Sequence, residues 1–93
     1  SSLQGANLTN AQLFDSSLER VTLQGASAFN ARLSGVRFLF SQLQGVNFNA
    51  ANLQGTSVSN SNLEGSTFAR ALLATAVFKE SNLQGADFVD ASM

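Results

Sequence analysis

The chain has no cysteine, histidine, proline, tryptophan or tyrosine, and no isoleucine either. Without cysteine there is no disulfide framework and no thiolate metal site, and the redox compartment stays open. Without histidine the commonest metal ligand and general base are gone. Charge is scarce as well: five basic and six acidic residues leave a net of −1 in 93 residues. Such a balance offers no electrostatic handle on nucleic acid, a membrane surface or an acidic substrate. No apolar run reaches the roughly 18–20 residues of a membrane span, and no signal-peptide pattern is visible. The first residue is Ser1 rather than methionine, so a targeting segment lost ahead of it is compatible with the sequence.

What the chain does have is a nested repeat. Leu3-Gln4-Gly5-Ala6-Asn7-Leu8 returns as Leu23-Gln24-Gly25-Ala26-Ser27, Leu43-Gln44-Gly45-Val46-Asn47-Phe48, Leu63-Glu64-Gly65-Ser66-Thr67-Phe68 and Leu83-Gln84-Gly85-Ala86-Asp87-Phe88, twenty residues apart each time. Within each twenty there is a period of five. Every fifth residue from Leu3 to Met93 is apolar, nineteen positions in all. At 44% apolar composition chance gives that less than about once in a million. The position two residues earlier is always Ala, Ser, Val or Thr, and all seven glycines fall two residues after the large apolar one.

A helix cannot use this pattern. Five residues at ~100° each carry the apolar position about 140° round the axis per repeat. A plain strand fails too, because an odd period swaps faces at every repeat. The pattern closes when each five residues form a short extended piece followed by a corner. The small and large residues then point inward, the one between them points out, and the last two turn the chain. Four such sides make a twenty-residue coil, and the next coil stacks on it.

Segments such as Ala6-Asn7-Leu8-Thr9-Asn10, Ala51-Asn52-Leu53-Gln54-Gly55 and Ala86-Asp87-Phe88-Val89-Asp90 follow an A-(D/N)-L-X-X motif, and over its whole length the chain resembles the pentapeptide-repeat family. The resemblance implies an all-β fold, a right-handed quadrilateral β-helix, here of about 4.6 coils of 20 residues. Residues 1–93 form a single such domain in this reading, a segment of a longer array. Departures from the motif are mild. Ala28 is undersized at a large inner position, and Leu72 and Val77 are apolar where an outward polar residue is usual.

Stacking at about 4.8 Å per coil predicts an all-leucine inner column (Leu3, Leu23, Leu43, Leu63, Leu83) beside one that becomes aromatic (Leu8, Ala28, Phe48, Phe68, Phe88). Ala28 predicts local repacking or a void, which Phe29 is placed to fill by turning inward. Gly5 to Gly85 predict one edge of type II turns, whereas corners carrying Phe40, Arg70, Thr75 or Glu80 call for another turn type. Gln4, Gln24, Gln44, Glu64 and Gln84 line up outward as an amide ladder. Neither end carries a helical or charged cap, with Ser1 at a small inner position and Met93 at a large one. That predicts end-to-end association of copies, or a longer array.

No catalytic constellation, cofactor site or metal site is expected. Lys79 falls in column with Ser59, but every outward pair one coil apart is adjacent in a solenoid, and Asp87 and Asp90 are too few for a hard-metal cage. The off-pattern outward residues carry more. Leu39, Phe40, Arg20 and Arg37 share side four, while Phe14 and Arg32 lie on side three. Together they form a mixed apolar and basic candidate protein-binding patch, although single outward apolar residues are ordinary. The sequence therefore reads as a non-catalytic structural or protein-interaction scaffold with an unidentified protein partner, no direct nucleic-acid binding, no membrane insertion and a default cytoplasmic placement. The family resemblance adds two alternatives: a DNA mimic that binds a type II topoisomerase such as gyrase, and a docking module of a secreted bacterial effector. Mimicry asks for about thirteen negative charges over a rod of ~22 Å, against six here largely offset by five positive.

Overall fold

A computed structural model describes residues 3–92; Ser1 and Met93, expected at inner positions, lie outside the described residues. Every backbone pairing joins a residue to the one twenty positions on, always in parallel. Strands β1 (Ser17–Glu19), β2 (Arg37–Leu39), β3 (Ser57–Ser59) and β4 (Val77–Lys79) pair in that register and order. On the other three sides single bridges such as Asn7 to Ser27, Gln12 to Arg32 and Thr22 to Gln42 keep the same step. The chain thus returns over itself after four corners, as the nested period requires.

The inward positions fill a narrow core. Leu23, Leu43, Leu63 and the aromatic Phe38, Phe48 and Phe68 are buried, each worth about 1.5–3 kcal/mol of transfer free energy. Small partners Ala26, Ala31, Ala51 and Ala71 sit beside them because two large side chains per side would overfill the coil. Phe48, Phe68 and Phe88 stack face to face, with ring centres 5.1 and 4.8 Å apart. Burial weakens in the outer coils. Leu3, expected inside, is 41% exposed, because only the coil of Leu23 covers it.

The corners depart from the glycine-based expectation. All eighteen residues at the turning position have φ between 51° and 74°, including eleven that are not glycine. Arg70 and Thr75 make the same hydrogen-bonded turn as the glycine edge: the amides of Ala71 and Ala76 donate to the carbonyls of Phe68 and Leu73. The corner that does differ is the fourth, shared by Arg20, Phe40, Asn60 and Glu80, where no such bond is made among the described residues. Side, rather than the residue at the corner, decides the turn.

At that fourth corner the freed amides find serines. The Val21, Ser41 and Ser61 amides donate to the hydroxyls of Ser41, Ser61 and Ser81 in the following coil, at 3.1–3.3 Å. Each hydroxyl in turn donates to the carbonyl two residues before it, on Leu39, Ser59 and Lys79. An unpaired buried amide is costly, so this serine column stands in for the missing turn bond.

Two further expectations are corrected. The glutamine column forms no amide ladder among the described residues, and Gln44 Oε1 is buried without a partner. Aligning long glutamine side chains loses about 1.5–2 kcal/mol of rotamer freedom each, more than one amide hydrogen bond typically returns. Short asparagines do the work instead. Asn30 donates to Asn10 at 2.7 Å, and Asn47, Asn52, Asn62, Asn82 and Asp87 each accept the amide two residues on. Phe29 does not turn inward: it is exposed, and an apolar cavity of about 110 Å³ remains beside Ala28.

Candidate functional site

The outward residues singled out in the sequence fall on two faces. On side four, β2 projects Arg37 and Leu39 outward, with Phe38 buried between them by strand alternation. Phe40 follows at the corner with φ 52°, which turns its ring outward and leaves it 52% exposed. Arg20, at the same corner one coil earlier, lays its guanidinium 5.3 Å from the centre of that ring. Such a contact is worth roughly 0.5–1 kcal/mol at an exposed site, and it fixes two long side chains relative to each other. Leu39 is half-buried; Arg37 pairs in register with Ser17 and Ser57 and is exposed.

Phe14 and Arg32 lie on side three and line a different depression, of about 340 Å³, together with Asn52 and Leu72. Leu72, off-pattern in the sequence, lines the same depression as Phe14 three coils away; both are exposed. The depression shares no residue with the side-four group of Arg20, Arg37, Leu39 and Phe40.

A third surface went unread in the sequence. Next to Phe40, around the fourth corner and onto side one, runs an open groove of about 600 Å³ lined by Gln42, Gln44, Asn60, Asn62, Glu80 and Asn82. Each of these residues fits the outward polar pattern, so none was singled out as part of a binding surface. The signal is their sum: three coils place amides at fixed spacing beside one exposed ring. Gln44 lines this groove, and its Oε1 is buried with no hydrogen-bond donor in reach.

Among the described residues no group of three or more Asp, Glu, His or Cys is positioned to hold a metal ion, and no helix is long and apolar enough to cross a membrane. Ser59 and Lys79 are opposed in register, as every residue is to its counterpart one coil away.

A family model described as pentapeptide repeats matches the chain in eight copies, over residues 1–27, 41–71 and 59–93. No curated protein sequence matches it. Several solved structures are similar. HetL, a pentapeptide repeat protein involved in heterocyst differentiation regulation from the cyanobacterium Nostoc, is 26% identical over 98% of this chain and 48% of its own, with a TM-score of 0.45. A pentapeptide repeat protein of the Arabidopsis thaliana thylakoid lumen is 31% identical over 99% of this chain and 68% of its own, at a TM-score of 0.45. QnrB1, a plasmid-mediated fluoroquinolone resistance protein, is 17% identical over 91% and 58%, at a TM-score of 0.33. The chain spans about half the length of HetL.

Proposed function

The chain belongs to the pentapeptide-repeat family of right-handed quadrilateral β-helices, and from that premise we propose that it is a non-catalytic scaffold binding a protein partner through the side-four corner. The observation that carries this reading is the Arg20–Phe40 pair. An exposed aromatic ring held under an arginine is a ready-ordered anchor, so little rotamer freedom is left to lose on binding. Phe and Arg are enriched where interfaces concentrate their energy, and Leu39 and Arg37 extend the surface with apolar area and a second positive charge. Phe14, Arg32 and Leu72 offer a second, separate contact surface on side three. Absence of histidine and cysteine supports a role without turnover, since the usual activated nucleophiles and bases need one of them.

Charge disfavours the topoisomerase-mimic reading. A net of −1, with basic residues on the same faces as the exposed rings, does not reproduce the phosphate density of a duplex.

The test is a double variant, Phe40→Ala with Arg37→Ala. Both residues are exposed, so its melting temperature is expected to stay within a few degrees of wild type. A partner captured by cross-linking to the wild-type chain is expected to be lost. Equal capture by the variant moves the interface elsewhere, and protection of gyrase from a quinolone in a supercoiling assay would restore the mimic reading.

A further inference from the structure

The interior ring stack has a gap in it. From Phe48 upward the column is aromatic: Phe48 on Phe68 at 9° between planes, Phe68 on Phe88 at 4°. One coil below Phe48 the column holds Ala28, whose methyl is all that occupies the place a fourth ring would take. The neighbouring column repeats the message. Phe78 stands edge-on to two rings of the stack, Phe68 at 80° and Phe88 at 80°. Phe38, in the equivalent place two coils earlier, stands edge-on to Phe48 at 73°, and its other partner position is Ala28. The repeat itself thus draws the outline of a missing ring, one coil spacing (about 4.8 Å) from the face of Phe48 and against the edge of Phe38.

That place is empty space. A cavity of about 110 Å³ lies there, with Leu8, Leu13, Leu33, Phe38 and Phe48 among its walls and no polar side chain in its lining. Water gains nothing in such a site, because it finds no hydrogen-bond partners; apolar cavities of about 150 Å³ stay dry and take up benzene or xenon. Phe29, the one adjacent ring that could collapse into the space, is turned outward.

We propose that the Ala28 cavity is a binding site for one small apolar molecule, a single unsubstituted aromatic ring being the best match. Such a guest completes the stack on Phe48 and the edge contact with Phe38, and recovers dispersion contacts that the void forfeits. The site is independent of the side-four corner, so its failure and that of the scaffold reading are separable.

The experiment is a benzene titration of the wild-type protein, followed by the methyl resonances of Leu8 and Leu33 and the ring resonances of Phe48. Saturable shifts confined to these residues, with a rise in melting temperature because the guest binds only the folded state, are expected. In Ala28→Leu the shifts are expected to vanish while the melting temperature without benzene rises; should that variant not fold, the smaller Ala28→Val replaces it. No saturable shift in the wild type, or shifts of equal size in the filled variant, overturns the proposal.

Discussion

At the scale of single residues the backbone asks more of this chain than its glycines suggest. Left-handed φ costs an ordinary L-residue roughly 1–2 kcal/mol, yet Arg70, Thr75, Phe40 and Glu80 all adopt it. Five of the eleven non-glycine corners are Asn or Asp, which tolerate that region. The remaining six are held there by the coils above and below. Glycine therefore announced a corner where it occurred, but its absence did not announce a different one. At Gly35 an added Cβ would meet the carboxylate of Asp15, an exposed side chain that can swing aside, so the positive φ shared with the non-glycine corners is the main cost of a substitution there. The serine column was equally silent: Ser41, Ser61 and Ser81 read as small inner residues, and nothing local says that their hydroxyls replace a turn bond. Ser61→Ala leaves the Ser41 amide without its acceptor and the Ser59 carbonyl with the Phe40 amide as its one remaining donor. The expected loss is about 1–3 kcal/mol of unfolding free energy, read by urea denaturation. A change under about 0.5 kcal/mol would show that water or a relaxed turn takes over the serine's role.

At the scale of the side, the five-residue period gave the alternation in and out, the twenty-residue period gave the register, and both were legible because burial in a coil this narrow permits no slip. Which side would form the continuous sheet was not legible. All four carry the same small-polar-large pattern, and only the fourth, ending in a corner with no turn bond, extends to paired strands. Surface groups divided likewise. Exposed Phe40 and Phe14 stood out because they break the pattern, whereas the amide groove along Gln42, Asn62 and Asn82 obeys it. Leu43 belongs to the deepest layer, with no measurable exposure. Leu43→Asp places an unpaired carboxylate there and is expected to abolish the cooperative thermal transition. An unchanged transition would mean that the inner column is not the core.

At the scale of the whole molecule stability is unevenly spread. Buried apolar residues run from Val21 to Leu73, while Leu8, Leu13, Leu83 and Phe88 are only half covered. Solenoids gain stability from nearest-neighbour stacking, so coils covered on both sides hold tightest. Amide hydrogen exchange is expected to be slowest at Leu43, Phe48 and Leu63 and faster at Leu8 and Leu13; uniform protection would mean that the chain opens only as one unit. The unbroken step of twenty has a last consequence, for how such a chain changes size. Deleting one residue would turn every later leucine to the outside, but excising 41–60 would join Phe40 to Ser61 and lay Phe68 over Ala28 with all columns still aligned. Growth and shrinkage of this molecule are quantised, and the coil is the cassette.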